Sequence, residues 1–243
     1  MPRKARQDSL ADGDAAPGGV AAVDRALTLL AAFQSGDTAL SLTELSARTQ
    51  LYKSTALRLI ASLEHGRLLQ KLDDGRYALS SEIARLHGIY AASFTLDRTV
   101  MPVLRSLVAQ TGESAAYHVR QGDARLCLYR VDSPHPVRDH IRAGDILPPD
   151  KGTGARVLIA FDPTRSQSAS AADRKRYAQI REQGYCMAVG DRLAELAGIS
   201  APVFHANGQL AAALTLTMPV HRYHEGFIRL VVQAARTLSS RMA

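Results

Sequence analysis

Cysteine is scarce in this sequence. Cys127 and Cys186 stand far apart, with no CxxC or Cys/His spacing around either. That excludes a disulfide framework and a cysteine-based zinc site, and it predicts two reduced core thiols in a cytosolic (cytoplasmic) protein. No run of eighteen apolar residues occurs, so no membrane-spanning helix is expected. The start, Met1-Pro2-Arg3-Lys4-Ala5-Arg6, is basic, but Asp8, Asp12 and Asp14 follow where a secretory signal would place its apolar core. Catalytic signatures are missing too. Lys151-Gly152-Thr153-Gly154 lacks the G-x-x-x-x-G-K-[ST] order of a phosphate loop. His221-x-x-His224-Glu225 lacks the HExxH spacing and a third ligand. His118, His135, His140 and His205 are scattered and suggest no triad, and no paired carboxylates stand in a catalytic context. The expectation is a non-enzyme with no cofactor and no metal site. No internal repeat is visible.

What the chain does carry is positive charge, +7 overall with a pI near 9.7. An excess of that sign favours polyanionic partners. Its placement weakens the clue, because residues 1–80 hold ten Lys/Arg against nine Asp/Glu, a net of only +1. A case for nucleic-acid binding therefore has to rest on local pattern.

Residues 1–19 are rich in Gly, Ala, Asp and Pro. With little to bury they cannot offset their ordering entropy, which predicts a disordered tail. Arg3, Lys4 and Arg6 of that tail are either solvated or in touch with DNA phosphates. Val23, Leu27, Leu30 and Phe33 then recur at helical spacing up to Ser35-Gly36. Ser41-Leu42-Thr43-Glu44 fits a capping box for a short second helix ending near Thr49. A third helix is predicted from Lys53 to Glu64, with Ala56, Leu59, Ile60 and Leu63 on its apolar side. Leu68–Leu72 and Arg76–Leu79 flank Asp73-Asp74-Gly75, a hairpin signal. A linker helix over 81–94 aligns Ile83, Leu86 and Tyr90, and Leu96–Gln110 reads as another helix.

Beyond residue 114 the pattern turns to strands: Ser114–Arg120, Arg125–Val131, Val137–Arg142, Tyr185–Ala188, Ile199–His205 and Leu210–Met218. Helices are predicted at Ala155–Phe161, Ala172–Gln183 and Glu225–Met242, with Ser166–Ser170 as a polar linker. The fold class is two-domain: a mostly α winged helix-turn-helix over 20–80, the linker helix, and an α+β domain over 95–243.

In a helix-turn-helix a short helix braces a second whose outer face enters the major groove. Here the outer face would present Lys53, Ser54, Thr55, Leu57, Arg58 and Ser62, with Ser41 and Thr43 at the start of the bracing helix and Arg76 on the wing. Lys and Arg can take phosphates or guanine edges, and hydroxyls can donate to phosphates.

The run Leu42-Thr43-Glu44-Leu45-Ser46, then Lys53-Ser54-Thr55-Ala56-Leu57-Arg58-Leu59-Ile60, then Gly66-Arg67-Leu68, resembles the helix-turn-helix of the isocitrate-lyase-regulator (IclR) family. Asp132-Ser133-Pro134-His135-Pro136-Val137-Arg138, Ile180–Tyr185 and Ile199–Phe204 are similar to stretches of that family's sensor domain. The resemblance covers about residues 20–243. It implies a ligand-responsive regulator that binds double-stranded operator DNA, a GAF-like effector domain for a small organic acid, and homodimers or dimers of dimers (tetramers). It places an effector pocket at Ile141, Leu147, Thr153, Gly154, Ala188, Gly198, Thr215 and Thr217, with Thr153 and Gly154 against a carboxylate. Thr215 and Thr217 fall on one strand face, either as pocket hydroxyls or as ordinary β-branched strand residues. The family loop usually carries His and Gly-Lys where this chain has Asp150 and Ala155-Arg156. Ala188 and Gly198 stand at pocket positions that are often polar in the family, and Phe161–Arg174 is shorter than the family's connection. These departures together predict a roomier, more apolar pocket for an aromatic or longer acyl ligand. The competing readings are an enzyme, or a small-molecule-binding protein, that carries a winged helix used for assembly.

Overall fold

Leucines spaced for burial close α2 (Ala21–Ala31), α3 (Leu42–Thr49) and α4 (Lys53–His65) over one small core. This computed structural model describes residues 9–13, 15–93 and 96–242, so the tail contacts expected of Arg3, Lys4 and Arg6 lie outside the described residues. The chain divides after Ser93 into two compact units. Within the first, Leu29, Leu40, Leu45, Ala56, Ile60, Leu63, Leu69 and Tyr77 are buried together. The capping box forms as expected: the Glu44 N–H donates to Ser41 Oγ (3.2 Å), and the Ser41 N–H donates to Glu44 Oε2 (2.8 Å). Such a cap contributes roughly 1 kcal/mol.

The wing is β1 (Leu69–Lys71) paired antiparallel with β2 (Tyr77–Leu79) around Gly75, whose φ of +82° suits glycine. Leu40 adds a bridge to Tyr77, with 2.8 Å bonds in both directions. α5 (Ser81–Ser93) follows. Two sequence expectations change here. Inside the predicted tail, Leu10–Gly13 forms one helical turn, α1, tied to α2 by an Arg25–Asp12 ion pair at 2.5 Å. On α2 the buried residue is Leu29, whereas Val23 and Leu27, expected to face inward, are more than half exposed.

The second unit is a six-stranded antiparallel sheet ordered β5-β4-β3-β8-β7-β6. Its strands are β3 (Ser114–Gln121), β4 (Ala124–Val131), β5 (Ile146–Leu147), β6 (Cys186–Val189), β7 (Leu196–Phe204) and β8 (Leu210–Pro219). Alternation sends Ala197, Ile199, Ala201 and Val203, with Ala212, Leu214, Leu216 and Met218, to one face. There they meet Val100, Val103, Leu104 and Leu107 of α6 (Leu96–Thr111) and Val231, Ala235 and Leu238 of α10 (Gly226–Ser239). The other face takes α7 (Thr153–Ala160), with α8 (Pro163–Ser168) and α9 (Ala171–Gln183) beyond it.

A bulge interrupts the β3–β4 ladder: Tyr117 pairs with Tyr129 but His118 with Cys127, so Leu128 is the extra residue. The shift keeps Cys127 and Arg125 on the α7 face beside His118. Both thiols are free and buried, and burial pushes Cys127 up to about 12 and Cys186 up to about 11. They are core residues.

Two predicted segments differ. Val137–Arg142 is not a strand. The chain reaches the β4 edge only later, where the Cys127 N–H donates to Asp145 O and the Gly144 N–H to Cys127 O. Asp139 instead turns inward onto Arg130 and Arg192. The expected polar linker Ser166–Ser170 is helical up to Ser168, because Asp162 caps α8, accepting from the Arg165 N–H (3.2 Å), and Pro163 takes its first position.

Candidate functional site

Two surfaces gather the residues singled out from sequence. On the first unit, α3 is pinned by Arg48, which pairs with Asp37 and donates to Ala32 O (2.9 Å). Gln50 then adopts φ +58° and turns the chain into α4. With Ala56, Ile60 and Leu63 buried, Lys53, Ser54, Leu57, Arg58 and Ser62 are exposed and Thr55 is half-buried. Lys53 Nζ donates to the exposed Thr43 Oγ1 at 2.8 Å, so cation and hydroxyl sit together where the two helices meet. Ser41 is half-buried and engaged with Glu44. Neither Lys53 nor Arg58 has a carboxylate partner among the described residues. Arg76 differs: its Nε donates to Asp74 Oδ2 (2.7 Å), so the wing's cation is already neutralised. The Arg76 backbone and side-chain bonds hold the Asp74 carboxyl below its usual range.

The second surface is a cavity of about 30 Å³ between the sheet and the start of α7. Ile141, Thr153, Ala188, Gly198, Thr215 and Thr217 all line it, although they come from one loop, one helix and three strands. Leu147 and Gly154 lie outside the lining. Leu147 packs with Ala116, Cys127 and Ile141. Gly154 is a close-approach position: a Cβ there would stand 2.7 Å from Arg125 Nη1, 2.9 Å from Thr215 Oγ1 and 3.2 Å from His118 Nδ1. Gly198 is similar, its missing Cβ leaving room for Thr153 Oγ1 at 2.8 Å.

Across the site runs a buried hydrogen-bonded chain. Thr153 Oγ1 meets Ser200 Oγ (2.8 Å), Ser200 Oγ meets Thr215 Oγ1 (2.8 Å), and Thr215 Oγ1 meets His118 Nδ1 (3.2 Å). Burial holds His118 well below the usual histidine range, reinforced by Arg125, Arg130 and Arg192, so the ring is neutral. When the hydroxyls donate toward the ring, Nε2 carries the proton and is a donor. In the opposite sense it is an acceptor. Replacing Ser200 by alanine breaks the chain in the middle and leaves Thr153 and Thr215 each one partner short. We expect a loss of about 1–3 kcal/mol in stability of this domain, read by denaturant titration.

Around this chain the site is charged. Arg156 pairs with Asp191, which also accepts from the Gly152 N–H (2.8 Å). Asp139 takes both Arg130 and Arg192. Among the described residues Arg125 has only the carbonyl of Lys151, at 3.2 Å. Expected to be roomy and apolar, the pocket is narrow here, and its lining mixes Ile141, Ala188, Leu196 and Ala197 with charged groups. The space holds about two water-sized groups and is flanked by cations. Sequence reading missed His118, Arg125, Asp191, Arg192 and Leu196 in the lining. Among the described residues no group of three or more His, Cys, Asp or Glu is placed to hold a metal ion. No described helix is long and apolar enough to cross a membrane.

Comparison with known proteins agrees with this architecture. The family model described as the IclR helix-turn-helix domain matches residues 22–73, and that of the bacterial transcriptional regulator IclR C-terminal matches residues 89–242. The glycerol operon regulatory protein of Streptomyces coelicolor is 25% identical over 233 residues, covering 89% of this chain and 92% of its own. The HTH-type transcriptional regulator BhcR of Paracoccus denitrificans is 27% identical over 252 residues, covering 93% and 88%. Among solved structures, an IclR homologue from Microbacterium hydrocarbonoxydans, complexed with 4-hydroxybenzoate, superposes with a TM-score of 0.80 at 21% identity, covering 90% of this chain and 98% of that one.

Proposed function

Because the chain belongs to the IclR family of bacterial transcriptional regulators, we propose that it is a ligand-responsive, sequence-specific repressor or activator. Its α4 enters the major groove of operator DNA, and its C-terminal domain binds a small organic acid. The observation that carries this reading is the outer face of α4: Lys53 and Arg58 stand exposed, without carboxylate partners, on a helix whose opposite face is buried. Charges so placed suit phosphates and base edges. Fluorescence anisotropy with duplexes from the intergenic region beside the gene tests it. Salt-sensitive, sequence-selective binding is the expected result, and binding that ignores both salt and sequence overturns it.

A homodimer accounts for two exposed apolar rows on the first unit, Val20, Val23 and Leu27 beside α2 and Leu86 and Ile89 on α5. Paired subunits would set the spacing of two recognition helices, and α5 would transmit a change in the effector domain to that spacing. Coupling of this kind is reciprocal. An acid that weakens operator affinity by a given factor is expected to bind the operator complex weaker by that factor, measured calorimetrically with and without DNA. An unchanged ligand affinity would defeat the coupling. The Microbacterium homologue's 4-hydroxybenzoate makes aromatic acids natural candidates, and a ring of that size requires this cavity to open.

A further inference from the structure

Resting on the reading of the cavity as the effector site, we propose that Arg125 and His118 form its anion-binding end, and that this end accepts a single carboxylate in preference to a neutral or doubly charged group. Arg125 is a buried guanidinium. Its residue is 3% exposed, and among the described residues its Nε has no partner and its guanidinium makes no salt bridge. Burial, then the neighbouring Arg192, brings its pKa down to about 10, so it remains a cation at neutral pH. A desolvated charge of this kind opposes folding unless something pairs with it. The neighbouring guanidiniums are provided for: Arg130 and Arg192 by Asp139, and Arg156 by Asp191.

Among the described residues two more buried atoms are unpartnered: Arg130 Nη1, on a guanidinium already paired with Asp139 and outside the cavity lining, and His118 Nε2. His118 and Arg125 both line the cavity. The two side chains are also neighbours: the point where a Gly154 Cβ would stand is 2.7 Å from Arg125 Nη1 and 3.2 Å from His118 Nδ1, the ring nitrogen that meets Thr215 Oγ1. One unpaired cation and one ring nitrogen free to donate match the two oxygens of a carboxylate. An anion at Arg125 also selects the sense of the hydroxyl chain that makes Nε2 a donor. A second negative charge would face Asp191, which lines the same space. The sequence-based assignment placed the carboxylate at Thr153 and Gly154. Thr153 Oγ1 already bonds Ser200, and Gly154 lies outside the lining, whereas Arg125 and His118 belong to it, so the anion is assigned to them.

Thermal shift and calorimetry on the full chain test this with acetate, propionate and benzoate, each beside its own amide, and with malonate as the dianion. Raised Tm for at least one monocarboxylate, none for its amide and a smaller rise for malonate are expected. Arg125→Met should abolish the carboxylate shift, with at least a tenfold loss of affinity, while the ligand-free Tm stays the same or rises. Arg125→Lys, which keeps the charge but loses the fork, should retain weakened binding. A purely structural arginine would behave oppositely, lowering the ligand-free Tm when replaced. That result, equal binding of acid and amide, undiminished binding by Arg125→Met, or no carboxylate binding to the wild type each overturns the proposal. The regulator reading fails on a separate readout. A chain that binds no duplex refutes regulation whatever its pocket does, and the carboxylate and amide titrations stand whether or not duplex is bound.

Discussion

Replacing Lys53 and Arg58 together by alanine is expected to lower operator affinity by about two to four orders of magnitude, while the melting temperature stays unchanged. Each cation that clamps a phosphate or reads a guanine contributes roughly 1–3 kcal/mol, and every 1.4 kcal/mol is tenfold. The two lie on the exposed side of α4, away from Ala56, Ile60 and Leu63, so the losses should be close to additive and the fold should not notice. Lys53 carries one complication. Its ammonium bonds Thr43 Oγ1 in the free protein, so part of its contact energy replaces that bond and Arg58 should show the larger single effect. Phosphate contacts would appear as a shallower dependence of log affinity on log salt, by about one unit per cation removed. Arg76→Ala serves as the comparison. Already paired with Asp74, it should cost far less. Unchanged affinity in the Lys53/Arg58 double variant would remove α4 from the interface.

The second large effect is expected at Gly154. An alanine methyl there meets Arg125 Nη1 at 2.7 Å and Thr215 Oγ1 at 2.9 Å, both inside the packed interior. Overpacking of this type costs about 1–3 kcal/mol. The exchange gains back up to about 1 kcal/mol because alanine favours the helix. A net drop of a few degrees in Tm is therefore expected for Gly154→Ala, together with loss of acid binding, because the displaced groups are the hydroxyl chain and its cation. Gly→Ala at Gly88, with open space around it in α5, should raise Tm slightly. If Gly154→Ala behaves like Gly88→Ala, the crowding is absent.

The winged helix-turn-helix was legible because its signals are local. A capping box, a three-to-four-residue apolar spacing and a hairpin turn act within a few residues of each other, and the core at Leu45, Ile60 and Leu69 followed from them. The face of α2 was misjudged for an equally physical reason. Its sequence carries two apolar stripes, and nothing in spacing says which one a small core takes. In the second unit, period-two alternation put Thr215 and Thr217 on one face, and the family resemblance made that face the pocket's. It missed Arg125 and His118. A charged residue on a strand reads as solvent-facing, and the extra residue Leu128 moves Arg125 to the opposite side of the sheet from the one simple alternation assigns. Such a bulge leaves no mark in composition. Asp162-Pro163 was different: the cap and the first-turn proline were present and signalled α8. Val137–Arg142 was expected as a strand, with Val137 and Ile141 falling on one strand face, and ion pairs at Asp139 to Arg130 and Arg192 decided otherwise.

Asp191 sits in the turn after β6, yet it holds the backbone N–H that precedes α7 and the guanidinium of Arg156 one helical turn further on. Turn, loop and helix start are thereby one mechanical piece. A bulky ligand cannot widen the cavity by nudging a single side chain. It has to swing the whole assembly, and it binds only the fraction of molecules already swung. Its apparent Kd is the intrinsic one divided by that fraction. An open state at about one molecule in a hundred would thus weaken a ring-bearing acid about a hundredfold while leaving a compact one untouched. Replacing Arg156, the partner of Asp191 that lies outside the cavity lining, would shift chemical selectivity toward larger acids without altering a lining residue.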